Sequence, residues 1–165
     1  MKIILLIFLL TITFCAKSQA ISVSGNWLPS ITAITVTGSD YSPSSLTSAT
    51  NQTLITASGL GSLLSTKNYR ISVSQSNTDW HDNLILTVRR TGGGTPFGTV
   101  SASGGTTAQT ITTISTSFFT INVSFLSLGG ASLSNIPIEY TLSGISVILP
   151  VKTYSTTITY TIVEL

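Results

Sequence analysis

This chain is poor in charge and in thiol. Only 7% of its 165 residues are Asp, Glu, Lys or Arg, and Cys15 is the only cysteine. One cysteine cannot form an internal disulfide, so stability has to come from sheet pairing and core packing. A tetrahedral zinc site is excluded on ligand count, since the sequence has one histidine, His81, to set beside that one thiol. The charges form no basic patch of the kind that nucleic-acid binding requires. The formal net charge of +2 includes Lys2 and Lys17. Beyond residue 20, Lys67, Arg70, Arg89, Arg90 and Lys152 are balanced by Asp40, Asp79, Asp82, Glu139 and Glu164. Long apolar runs are also missing after the first residues, which excludes a membrane-spanning helix there. No segment carries a helical hydrophobic period.

What the chain does have is hydroxyl groups. Ser and Thr make up about a third of it, alternating with aliphatic and aromatic residues from residue 21 onward. In the closing segment Tyr154, Ile158, Tyr160 and Ile162 share one parity, and Ser155, Thr157, Thr159 and Thr161 the other. A period of two is the pattern of a half-buried strand. Threonine suits it because its branched Cβ fits the pleated surface.

Residues 1–20 read as a secretory signal peptide. Lys2 provides the charge, Ile3 to Ile12 the apolar run, and Ser18-Gln19-Ala20 small residues at the cleavage site. The expected mature chain begins at Ile21 and places the protein outside the cell or on its surface, with the periplasm as a further compartment. Cys15 is alternatively a lipoprotein acceptor, against which stands the bulky Phe14 before it.

The remaining residues, 21–165, fit one domain. Strands are predicted at 21–27, 31–37, 52–57, 69–75, 83–90, 108–114, 117–127, 136–142 and 153–164. Turns are predicted at Gly38–Pro43, Thr91–Pro96, Ser103–Gly105 and Gly129–Gly130. Residues 58–66 read either as a loop or as one short turn. In 117–127, Phe119, Ile121, Val123 and Phe125 make one apolar face, as in a central core strand. The expected fold is all-β, an antiparallel immunoglobulin-like β-sandwich of about eight to nine strands.

Few residues carry chemistry. The one cluster of charge with an aromatic is Asn77–Asn83, which holds Asp79, Trp80, His81 and Asp82. As a ligand loop it would stack Trp80 on a sugar ring, with Asp79, Asp82 or Asn83 binding hydroxyls or Ca²⁺. As a structural turn it would use the Asp and Asn residues for their turn geometry and fold Trp80 inward. Trp27 is a second aromatic candidate for a glycan. Catalysis is not expected. No Gly-x-Ser-x-Gly elbow is present, His81 is the only imidazole base, and the acids are spread thinly. Gly92-Gly93-Gly94 is not followed by the Lys-Ser/Thr of a phosphate loop. No cofactor and no metal are expected. Asn51-Gln-Thr and Asn122-Val-Ser match the glycosylation pattern, as chance allows in a chain this rich in hydroxyls.

Arg89-Arg90 closes a strand whose inward residues are Leu84, Leu86 and Val88, and both heads are expected to reach solvent or a carboxylate. The closing Tyr154–Ile162 stretch, preceded by Ile145 to Val151, resembles the last strand of bacterial surface β-sandwich families of the spore-coat-U/fimbrial and WxL types. The chain departs from them in lacking a Trp-x-Leu pair and a cysteine pair. The resemblance implies a structural or adhesive cell-surface role, with self-association or a surface protein as partner. The alternative is a carbohydrate-binding module.

Overall fold

The computed structural model describes residues 18–30, 45–61, 66–124, 130–146 and 149–165. Eleven strands run in chain order: β1 (Ala20–Ser24), β2 (Ser45–Thr47), β3 (Thr53–Leu60), β4 (Lys67–Asp79), β5 (Ile85–Arg90), β6 (Thr95–Phe97), β7 (Val100–Ser103), β8 (Gln109–Thr110), β9 (Thr116–Val123), β10 (Ala131–Ser143) and β11 (Ser155–Glu164). They form two antiparallel sheets. One has the order β1-β3-β10-β5-β8, with β2 and β6 also paired to β10; the other has the order β11-β4-β9-β7. The sheets pack face to face as a β-sandwich, as the alternation predicts.

The alternating residues meet in the core. Ile55, Ala57, Leu133, Ile136 and Ile138 from the larger sheet are buried against Ile71, Val73, Phe119, Ile121 and Val123 from the smaller one. Tyr140 and Tyr160 join the two layers, their phenol oxygens 2.9 Å apart. Burial pushes the Tyr160 phenol far above its ordinary pKa, and the neighbouring Tyr140 adds to this.

Connectivity is where the strand order parts from the immunoglobulin expectation. An immunoglobulin sandwich has its first, second, fifth and fourth strands in one sheet. Here the pairs are nested: β3 pairs β10 in one sheet while β4 pairs β9 in the other, and the chain changes sheet at β3 to β4 to β5. The nesting continues inward with β5 paired to β8. Alternation says which face of a strand is buried; it is silent on which strand lies beside it.

β10 is the hinge of this arrangement. Its first half pairs β3 on one side and β6 on the other, and its second half pairs β2 and β5. A register shift lies between Leu133 and Ile136, where Asn135 adopts a φ of 55°. Asparagine tolerates that left-handed conformation better than most residues. Pro137 lies beyond the shift, in regular register with Leu54 and between the stretches of β10 that pair β6 and β5.

Several boundaries differ from the sequence reading. The predicted 108–114 strand shrinks to Gln109–Thr110, while Thr95–Phe97, which overlaps the end of the predicted Thr91–Pro96 turn, pairs with β10. Strands β2 and β7 had no sequence expectation, being too short for a period of two to register. The predicted 31–37 strand, the Gly38–Pro43 turn, Cys15 and most of the leader lie outside the described residues. So do residues 62–65 and the end of the 117–127 strand.

Candidate functional site

The tryptophan turn forms first from local chemistry. β4 ends at Asp79, and the chain reverses before β5. The Leu84 amide donates to the His81 carbonyl at 2.9 Å, and the Asn83 amide donates to His81 Nδ1 at 3.2 Å. The Trp80 indole N–H donates to the Leu84 carbonyl at 2.9 Å, and its half-buried ring packs against the core. Gly144 backs the turn at φ 79°, where an added Cβ would lie 1.7 Å from the Asn83 carbonyl oxygen. Only glycine fits there.

The other turn residues have protein partners as well. Asp79 accepts from Lys152 Nζ at 2.5 Å, and that bond holds the Lys152 ammonium above its ordinary pKa. Lys152 also lies 5.0 Å from the centre of the Tyr154 ring. The His81 ring meets Tyr154 edge-on at 6.1 Å. Asp82 is exposed at the tip. The structure thus brings Asp79, Trp80 and His81 together with Lys152 and Tyr154. Trp27, far along the chain, is half-buried and stacks on Tyr140 with centroids 6.2 Å apart. No group of three metal-ligating side chains occurs among the described residues. Asn122 lies within β9, its amide donating to Ser103 Oγ at 3.0 Å.

A second polar centre sits on the outer face of the larger sheet. Arg89 and Glu139 are cross-strand partners on β5 and β10, and Arg89 Nε donates to Glu139 Oε1 at 2.6 Å. The Glu139 side chain is 6% exposed and that of Arg89 48%. The carboxylate raises the Arg89 pKa through this hydrogen bond. Around the pair is a groove of about 460 Å³, lined by Thr47, Thr87, Thr106, Thr107, Thr141 and their neighbours.

Register builds one wall of the groove. Thr47 faces Thr141, Thr141 faces Thr87, and Thr87 faces Thr110, giving one rank of threonines across four strands. The Thr47 and Thr141 hydroxyls are 3.2 Å apart, and Thr87 donates to the Thr141 carbonyl at 3.3 Å. The opposite wall comes from a slip. Continuing the pairing of Val88 with Gln109 would set Arg90 against Thr107. Instead the Arg90 amide donates to the Gly105 carbonyl at 2.6 Å, so Thr106 and Thr107 are extra residues beside the groove.

Arg90 corrects the expectation that both arginine heads reach solvent or a carboxylate. Arg89 does meet a carboxylate. Arg90 has the inward parity of Leu86 and Val88 and is 7% exposed. Its guanidinium donates to the Gly104 carbonyl from Nε (3.0 Å) and Nη2 (2.8 Å), and to the Gly92 carbonyl from Nη1 (2.6 Å). It also lies 5.8 Å from the centre of the Phe119 ring. Desolvation lowers its pKa from the ordinary arginine value.

Compared with known proteins, the chain matches no family model, no curated sequence and no solved structure at a significant level.

Proposed function

We propose that this is an exported structural or adhesive surface protein, acting without catalysis through an edge strand and flat, hydroxyl-rich sheet faces. The observation that carries this reading is the placement of β11. It ends the four-stranded sheet and pairs with β4, and its outward Thr157, Thr159 and Thr161 are exposed. Next to them stand Ser72, Ser74 and Ser76 of β4. An edge strand without inward charge or proline recruits other strands through its backbone. β11 has neither safeguard, its one charge being Glu164 at the end, paired with Lys67.

Export is supported by the Lys2, Ile3–Ile12 and Ser18-Gln19-Ala20 pattern. The resemblance of the closing strand to spore-coat-U/fimbrial and WxL-type proteins supports a cell-surface site of action. A non-catalytic role is supported by the state of His81, whose Nδ1 is taken by the Asn83 amide. The carbohydrate-binding alternative through Trp80 or Trp27 has less support, since one ring spends its N–H inward and the other stacks on Tyr140.

Light scattering of the purified protein over a range of concentrations tests the assembly. The wild type is expected to associate, and Thr157→Lys with Thr159→Lys to shift it to monomer. A wild type that is monomeric at every concentration would overturn the reading.

A further inference from the structure

We propose that the groove around Arg89 and Glu139 binds a neutral polyhydroxylated ligand, one sugar residue held through a pair of adjacent hydroxyls. The inference gives the adhesive reading a ligand. It rests on that reading only in taking this outer face to be accessible.

The argument begins with Glu139. A carboxylate this buried on the outward side of a sheet is costly to desolvate, and protein folds seldom keep one without compensation. Oε1 is compensated by Arg89. Among the described residues no hydrogen bond occupies Oε2, and it is not among the sealed, unpartnered atoms; it therefore keeps contact with the groove. Arg89 uses Nε for the carboxylate, and its two terminal nitrogens have no protein acceptor among the described residues. The floor thus presents an open acceptor beside open donors.

Charge pairing then selects the ligand class. A lone cation meets a carboxylate already neutralised by arginine, and a lone anion meets a guanidinium already neutralised by glutamate. Neither gains much net Coulomb energy. A neutral diol uses both partners without disturbing the pair, one hydroxyl donating to Glu139 Oε2 and its neighbour accepting from an Arg89 terminal nitrogen. The surrounding threonines extend this, because each hydroxyl both donates and accepts. The volume, about 460 Å³, lies within the range of small-molecule sites. No aromatic side chain lines the groove, so recognition falls to hydrogen bonds, and millimolar affinity is the expectation for a single sugar.

Amide-resolved NMR titration of the whole domain tests this. The probes are methyl glycosides of glucose, galactose, mannose and fucose, with glucuronate and glucosamine as charged comparators. The expected result is saturable shifts at Thr87, Arg89, Glu139 and Thr141 with at least one neutral glycoside. Glu139→Gln is expected to weaken that binding about tenfold or more, as for loss of a hydrogen bond to a charged group. Arg89→Lys and Thr107→Val should also weaken it, and they carry the test if Glu139→Gln does not fold. Trp80→Phe should bind as wild type. Absence of saturable shifts in the groove with every neutral glycoside would overturn the proposal. So would tighter binding of a charged comparator, or wild-type affinity in folded Glu139→Gln. A monomer that still binds sugar would sink the assembly reading alone.

Discussion

The turn around Trp80 and the groove around Glu139 are both polar clusters on the same sandwich, and they differ in how they are built. The turn comes from consecutive residues, and its conspicuous groups are already used: Trp80 on Leu84 and His81 on Asn83 within the turn, and Asp79 on Lys152 from the segment before β11. The groove comes from β2, β5, β10 and the slip before β8, and its central carboxylate keeps an open oxygen. A cluster that is dense in sequence satisfies much of itself within a few residues, as Trp80 and His81 do, because turn formers bond to nearby backbone. One assembled by register gathers groups with no local partner. Of the two, the inconspicuous cluster is better placed to receive a ligand.

The largest expected effect breaks the turn. Trp80→Ala removes a ring packed against the core and leaves the Leu84 carbonyl without its donor. Large-to-small core changes of this kind cost about 3–5 kcal/mol, and partial exposure of Trp80 places the loss near the low end. Urea unfolding measures it. A variant as stable as the wild type that has lost glycoside binding would return the ligand role to Trp80 and reverse the comparison.

A smaller effect tests how the groove wall is held. Arg90 ties the Gly104 and Gly92 carbonyls from the core side, and the chain runs from Gly104 into Thr106 and Thr107. Arg90→Met keeps most of the apolar stem but leaves those carbonyls without their donor, at a cost of about 2 kcal/mol. In the same protein the amide shifts of Thr106 and Thr107 should move while those of the Trp80 turn stay put. Movement at the turn instead would mean that the two clusters are coupled through the core.

These outcomes bear on how much the sequence disclosed. The faces were legible: Phe119, Ile121 and Val123 are buried, as are Leu84, Leu86 and Val88, and Thr157, Thr159 and Thr161 point outward. Each follows from side-chain parity alone. The same parity applied to Arg90 would have sent it inward with Val88. Charge suggested a solvated head, whereas the glycine carbonyls of two turns made an interior berth. The groove was not legible, because the positions of Glu139 and Thr47 relative to Arg89 depend on strand neighbours and on a two-residue slip. A single hint did exist. Glu139 is the one charged residue of β10, and an acid in such a place needs a partner.

The smallest expected effect concerns Asp79 and Lys152, the ion pair at the edge of the turn. Both side chains are about half exposed, so water screens their attraction and the long lysine loses entropy in holding one geometry. Asp79→Asn should therefore leave the urea midpoint unchanged in physiological salt, and glycoside binding unchanged too. Its sharper consequence is local. The raised Lys152 pKa, caused mainly by the hydrogen bond that its ammonium donates to Asp79, should fall back toward the ordinary lysine value, as read from the ammonium or adjacent methylene resonances on alkaline titration. Because the pair raises a lysine pKa, what little stability it gives is present below the ordinary lysine value and lost as pH rises through the raised one. Any separation between the two proteins is therefore small, is already present at neutral pH, and closes on the alkaline side as the wild type declines to meet the variant. A marked loss of stability at neutral pH would mean that Asp79 holds the turn together and that the turn is not sustained by its backbone bonds and Trp80.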